Sequence, residues 1–210
     1  MKRKKRLFKL SAFLLSFIIL FLYLYFSSNR ILEEYALKSF ISAISTVSYS
    51  AIDTIIEGGY DYSDLIEIEK NNDGDVSMVV TQSYKVNELA VLSAKKTFSL
   101  LESTLNNGVD IPLGAFSGIR MISGFGAKVN MKLLTASSVK CDIVSEFQSA
   151  GINQTRHLMY LNILAEATIV TKISTKSVNE SIKILVYDNL IIGKVPSVLV
   201  SSSVIGSGNS

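Results

Sequence analysis

Gly151-Ile152-Asn153-Gln154-Thr155-Arg156-His157-Leu158-Met159-Tyr160-Leu161-Asn162-Ile163-Leu164-Ala165-Glu166-Ala167-Thr168-Ile169 is the stretch that decides the fold. A glycine turn delivers four polar side chains in a row, and the only histidine of the 210-residue chain then opens a long apolar run. From His157 the pattern has period two. His157, Met159, Leu161, Ile163, Ala165, Ala167 and Ile169 fall on one face, and Leu158, Tyr160, Asn162, Leu164 and Glu166 on the other. That alternation predicts a strand. Apolar residues on both faces predict a central strand, covered on both sides.

Gly151, Asn153, Gln154, Thr155, Arg156 and His157 form the candidate site. Two readings stand side by side. In one the loop is a structural lock, its Asn, Gln and Thr side chains satisfying backbone groups at the strand entrance. Arg156 then pairs with Glu146 or Asp142 through a bidentate contact. In the other the same polar loop, held on a stiff sheet, is a surface for a partner.

Strands continue on either side. Residues 128–134 alternate, with Val129, Met131 and Leu133 opposite Lys128, Asn130 and Lys132, and Val139, Cys141 and Ile143 alternate with Lys140 and Asp142. Ala136-Ser137-Ser138 between them reads as the turn of a hairpin with one buried face. A final strand is expected at 181–187, ahead of Leu190-Ile191-Ile192-Gly193-Lys194-Val195-Pro196. Pro196 marks an edge or the end of pairing, because it lacks a ladder donor. The Ser/Gly-rich tail at 201–210 reads as disordered.

Upstream, residues 65–70 and 76–84 flank Asn71-Asn72-Asp73-Gly74-Asp75. This is a hairpin with Asp-Gly supplying the turn; the ligand spacing of a calcium loop is absent. Asn87 is the expected cap of a helix whose stripe is Ala90, Ala94, Phe98, Leu101 and Leu105, ended by Asn106-Asn107-Gly108. Gly124-Phe125-Gly126 is a lone G-x-G without the strand and helix of a nucleotide fingerprint, so it reads as a bend. Residues 30–57 read as an amphipathic helix through Leu37, Phe40, Ile41, Ile44, Val47, Ala51, Ile52 and Ile55, stopped by Gly58-Gly59. That face packs on its own domain or joins two copies of the chain into a homo-oligomer through residues 31–57.

The N-terminus has a different logic. Lys2, Arg3, Lys4, Lys5, Arg6 and Lys9 carry six positive charges, and no acid occurs among residues 1–10. The rest of the chain holds 15 basic against 18 acidic residues. An acidic body gives no basic face for duplex nucleic acid, so none is expected as a partner. Residues 7–26 as a helix would be about 30 Å long, the thickness of a bilayer core. Tyr23 and Tyr25 lie where an aromatic belt forms. The expected division is a basic cytoplasmic tail at 1–6, a transmembrane helix at 7–26, an extracytoplasmic α+β domain at 27–200 and the tail at 201–210. A cleaved signal peptide is the competing reading; Tyr25-Phe26-Ser27-Ser28-Asn29 has no clean small-x-small site, which favours an uncleaved anchor.

A hydrolase can be assembled on paper, with His157 as base, Asp142 or Glu146 as orienting carboxylate, and Ser145 or Thr155 as nucleophile. The residues come from one short stretch and no G-x-S-x-G elbow is present. One histidine and one cysteine give no zinc site, and Cys141 reads as a small buried hydrophobe. No catalytic, cofactor or metal residue is therefore assigned. Asn153-Gln154-Thr155 and Asn179-Glu180-Ser181 fit glycosylation sequons by chance.

Ile111-Pro112-Leu113-Gly114, the segment 145–157 (Ser-Glu-Phe-Gln-Ser-Ala-Gly-Ile-Asn-Gln-Thr-Arg-His) and Ile191-Ile192-Gly193-Lys194-Val195-Pro196 resemble the sporulation protein YunB family of endospore-forming Firmicutes. The chain departs from that pattern at Gly126-Ala127, where the family has Gly-Pro, and at Asp188-Asn189, where it has Glu-Thr. The resemblance implies a membrane protein of the mother cell whose body lies between the two membranes around the forespore. It implies no catalytic activity. The fold class expected is α+β, with amphipathic helices packed on a mostly antiparallel sheet behind a transmembrane helix. The expected role is non-catalytic, in contact with the membrane and with other envelope proteins of the spore. A cell-wall hydrolase and a lipid- or ligand-binding domain are the alternatives, the latter needing a large apolar pocket between the sheet and the two helices.

Overall fold

The computed structural model describes residues 2–74, 76–151 and 153–192, with side chains over these apart from 2–10, 20–21, 24–27 and 120. Pro196 and the tail at 201–210 lie outside the described residues. The order is helix α1 (Lys2–Glu57), short helix α2 (Tyr62–Leu65), strands β1 (Ile66–Lys70) and β2 (Val76–Thr81), helix α3 (Ser83–Asn106), strands β3 (Val109–Pro112) and β4 (Lys128–Met131), and three long strands, β5 (Leu134–Gly151), β6 (Gln154–Val170) and β7 (Thr175–Ile192). β1 pairs with β2 and β3 with β4, both antiparallel. The third sheet has the order β5-β6-β7. The protein is α+β, with β6 the central strand of its largest sheet.

The described residues divide into two compact units. One holds those within 1–47, 98–138 and 165–180, the other those within 48–97, 139–164 and 181–210. In the first, α1 buries Leu32, Ala36, Phe40, Ala43, Ile44 and Val47 at three- and four-residue steps, the spacing of one helical face. Leu37 and Ile41, expected on that stripe, are exposed; the buried face is turned toward Leu32 and Ala36. β6 contributes Ala165, Ala167 and Ile169 to the buried set. The β6–β7 turn is locked by Thr171 and Ser174, and the Ser174 hydroxyl donates to Glu33 of α1 at 2.7 Å.

The second unit has its own core. Leu65, Ile66, Leu89 and Met159 are buried together, with Ile55, Val86, Ile143 and Tyr187 packed against them. Helices and strands thus share one apolar interior here, each fully buried aliphatic side chain contributing about 2 kcal/mol. The β1–β2 hairpin turns through Gly74 at φ 83°, the left-handed conformation that glycine adopts without penalty.

α1 is continuous from Lys2 to Glu57, so no break separates the expected membrane segment from the helix after it, as the lack of a proline between them allows. Three expectations are corrected. α3 starts at Ser83, not after Asn87. Val86 N–H donates to Gln82 O at 3.0 Å, so the first helical turn closes directly behind β2, and Tyr84 is helix rather than strand. The turn at Ala136-Ser137-Ser138 does not form. β5 runs through it, because β4 pairs with β3 instead and residues 134–138 lie along the end of β6, where the Ser137 and Thr168 hydroxyls meet at 2.9 Å. Finally, β6 is buried along one face, and on the other only at Leu158. Every second residue from His157 to Ile169 is buried, whereas Tyr160, Asn162 and Glu166 are half-buried and Leu164 is exposed.

Candidate functional site

The entrance to β6 is built by a tight reversal. Gly151 has φ 138° and Asn153 φ 58°, the only positive φ outside glycine among the described residues. Asparagine tolerates that region because its side chain hydrogen-bonds locally. Past the reversal the strand period separates the predicted residues. Gln154 and Thr155 are half-buried, Arg156 is exposed and His157 is fully buried. The six candidates therefore do not converge on one point.

Arg156 grips Asp188 of β7 through two bonds. Nε donates to Oδ1 at 2.7 Å and a terminal nitrogen donates to Oδ2. The expected partners, Glu146 or Asp142, are not used. Antiparallel pairing puts Asp188 beside Arg156, while Glu146 takes Lys183 at 2.6 Å. The Lys183 ammonium also lies 4.0 Å above the ring of Tyr160, so one cation ties all three strands of the sheet. The fork of Arg156 raises its own pKa and holds the Asp188 carboxyl below the usual value, through hydrogen bonding first. At position 188 the resemblance leads one to expect Glu, and Asp keeps the carboxylate that the arginine needs.

His157 lies in an aromatic socket. Its ring stacks on Phe147 with centroids 4.2 Å apart and planes 6° from parallel. Tyr62 meets its edge at 5.7 Å, and the Tyr62 hydroxyl is 2.8 Å from Nδ1. Tyr62 stands at the start of α2, which is held by a reciprocal cap. Asp61 Oδ1 accepts from Tyr62 N–H at 2.7 Å, and Asp61 N–H donates to Asp64 at 3.0 Å. Tyr187 tilts against Tyr62 at 5.8 Å and donates to Tyr60 O at 2.9 Å. Nε2 of His157 has no hydrogen-bond partner among the described residues. Burial pushes the histidine pKa down and the tyrosine pKa values up, so the socket holds a neutral imidazole between neutral phenols.

This geometry does not assemble the hydrolase arrangement. The histidine's bond goes to a phenol, Glu146 is held by Lys183, and Thr155, two residues before His157 and so on the same face of the strand, bonds neither of its nitrogens. Cys141 is half-buried, with its thiol pushed up to about 12 by burial and by Asp142; a thiol there stays protonated and unreactive. Among the described residues no cluster of His, Cys, Asp and Glu has the makings of a metal site. Within the second unit, Ile52, Ile55, Leu89, Ser93, Leu161 and Val186 line an apolar space of about 10 Å³, roughly the room of one water and far below a lipid.

Sequence reasoning missed Tyr62, Tyr187 and Asp188. Tyr62 is 95 residues from His157, beyond any local pattern. The readable signal was Asp61-x-x-Asp64, a capping box that announces a short helix.

An α+β protein with a buried, aromatic-locked histidine at the head of its central strand is the class that fold and site define. Residues 108–198 match the family model of Sporulation protein YunB. Over that stretch, from β3 to the end of β7 and beyond, the chain is similar to the YunB family. No curated protein and no solved structure matches it. The N-terminal helix is long and apolar enough to cross a membrane; by length and composition its segment Ser28–Glu57 passes that test. That segment carries the buried stripe of the core. Residues 11–19, 22 and 23 of the same helix are instead exposed throughout, Phe13 and Phe17 among them.

Proposed function

We propose that this protein is a single-pass membrane protein of endospore formation, with a non-catalytic role in assembling the spore envelope. The family match carries the reading of sporulation. The exposed apolar surface at 11–19, 22 and 23 supports an anchor, since a monomeric soluble protein rarely leaves such a surface in water. The basic cluster at 2–9 then stays in the cytoplasm and the body faces the other side; by resemblance that is the space around the forespore. The partners are the membrane and other envelope proteins. Leu37 and Ile41, exposed on the helix after the anchor, are the residues through which two copies would meet.

The locked state of His157 supports the non-catalytic role. A general base needs a reachable proton and an orienting partner, and this imidazole is enclosed by carbon on most sides. We assign Arg156 and the exposed rim of the 151–156 turn to partner contact and His157 to the lock. The test is complementation of a spore-former lacking this gene, counting heat-resistant spores. Arg156→Ala is expected to lower the count at normal protein level, and His157→Phe to leave it unchanged. Cleavage of peptidoglycan by the purified full-length protein, abolished by His157→Phe, would sink the reading. A mature fragment beginning near Asn29 would remove the anchor.

A further inference from the structure

The segment between β3 and β4 presents apolar side chains outward. Leu113, Ile119, Met121, Ile122 and Phe125 are all exposed, Met121 by 87% and Phe125 by 70%. The loop is nonetheless well built. Leu113 N–H donates to Ala127 O at 2.9 Å, Gly114 N–H to Phe125 O at 2.9 Å and Phe125 N–H to Ile122 O at 3.0 Å. The Ser117 hydroxyl donates to Gly114 O at 2.7 Å and accepts from Ile119 N–H at 3.1 Å. Ala115 is buried beneath. With the backbone satisfied from within, the loop keeps its shape while its side chains face outward. Ordered exposure of this kind marks an interaction site.

The surroundings say what covers it. Loop and α1 share an open groove of about 740 Å³, lined by Tyr23, Arg30, Tyr35 and Lys38 of the helix and by Gly118 and Ile119 of the loop. Tyr23 belongs to the end of the exposed apolar run, where Phe17, Ile19 and Leu22 also face outward. The loop therefore stands where the helix changes from apolar to charged. Tyrosines with arginine and lysine are the composition of a membrane boundary, rings at headgroup level and cations at the phosphates; Lys38 also pairs with Glu34 at 2.8 Å.

We propose that residues 113–126 are a membrane-seating loop, inserting Met121, Phe125 and their apolar neighbours into the boundary between headgroups and acyl chains beside the anchor. The inference rests on the anchor reading above. It gives the body a second contact with the lipid surface, fixing its orientation instead of leaving it to pivot on one helix.

The chain has no tryptophan, so single substitutions report their own surroundings. Full-length protein carrying Met121→Trp, Phe17→Trp or Tyr84→Trp is reconstituted in phosphatidylcholine–phosphatidylglycerol vesicles containing lipid brominated near the carbonyl end of the acyl chains. The expected result is loss of most indole emission at position 121, with a blue shift, and full emission at position 84. Adding Leu113→Asp and Phe125→Asp to Met121→Trp restores the emission, which excludes attraction of the indole itself to the membrane. An indole at 121 quenched by iodide and not by bromolipid, with position 17 quenched by bromolipid, overturns the loop and leaves the anchor standing; the patch then faces a protein. An indole at 17 unaffected by bromolipid overturns the anchor, and the loop proposal with it.

Discussion

The head of β6 and the 113–126 loop treat side chains in opposite ways. At the head of β6 a titratable imidazole is fully buried among aromatic rings. In the loop, large apolar side chains are held out from an ordered backbone. Hydropathy read residue by residue would assign each the other's place. The difference lies in what closes first. In the loop the backbone finds its partners within the segment, so the side chains are left over and take whatever surface is present. On β6 the sheet ladder satisfies the backbone, the period of two sends His157 inward, and the side chain must then find its own partner. It finds one polar atom, in Tyr62, and leaves one nitrogen without any.

The largest effect that would break this contrast comes from Gly114. A Cβ placed there would lie 2.0 Å from Ile122 O and 2.6 Å from Phe125 O. Both contacts are backbone, so no side chain can swing away. Gly114→Ala is expected to open the loop at a cost of about 3 kcal/mol, read as a lowered midpoint in urea unfolding. A midpoint within error of the wild type would mean that the loop adapts, and that its ordered presentation is not fixed by this closure.

Next comes the socket. His157→Ala leaves a cavity against Phe147 and Tyr62 and is expected to cost about 3 kcal/mol. Tyr62→Phe removes the only hydrogen-bond partner that a buried imidazole has among the described residues and is expected to cost about 1–3 kcal/mol. His157→Phe keeps the stacked shape and removes both nitrogens. It should be close to neutral, and Tyr62→Phe should cost almost nothing in its presence. A double-mutant cycle on thermal or urea unfolding measures this coupling. Equal costs for Tyr62→Phe in both backgrounds would show that the 2.8 Å contact contributes little.

Protonation sharpens the same contrast. Burial lowers the His157 pKa in the folded state, below the unfolded value of about 6.5. The unfolded chain then binds the proton more readily, so stability is complete above about pH 6.5 and falls as the pH drops toward the folded value. The rings around it, Phe147, Tyr62 and Tyr187, supply no carboxylate to hold a cation; Asp61 and Asp64 act on Tyr187 from α2. Melting temperature is expected to decline as the pH falls below about 6.5, and His157→Phe to flatten that slope. An unchanged slope in the variant would assign the titration elsewhere.

The sequence made one half of the contrast legible and hid the other. Period-two alternation found β6 and which of its faces is buried, because ladder geometry alone sets that pattern. It could not tell that the opposite face, with Tyr160 and Glu166, stays half-exposed, since that depends on which layer covers the sheet. The hairpin turn placed at Ala136–Ser138 failed for a related reason. Small polar residues permit a turn or a strand, and pairing of β3 with β4, twenty residues apart, decided between them. The long apolar N-terminal helix, its stripe and the Asn-Asp-Gly turn were local signals and readable as such. The partners of His157 and Arg156, Tyr62 and Asp188, were not, because a socket of side chains from α2, β5, β6 and β7 exists only once the chain has folded.

The smallest stability effect belongs to Arg156, and it is the one that separates architecture from function. Arg156 and Asp188 are 46% and 37% exposed at their side chains, and exposed ion pairs add little to stability. Arg156→Ala and Asp188→Ala should therefore barely move the melting temperature, and added salt should erase even that difference. If the fork exists to lock the sheet, spore counts follow stability and both variants sporulate normally. If the guanidinium is presented to a partner and the carboxylate only orients it, Arg156→Ala lowers heat-resistant spores while Arg156→Lys restores them in part, since lysine keeps the charge and loses the fork. Asp188→Ala then gives an intermediate count, with the arginine present but no longer held in place. Normal counts in all three variants would return the turn to a purely structural role and leave the apolar loop as the surface of this protein with the stronger claim to a partner.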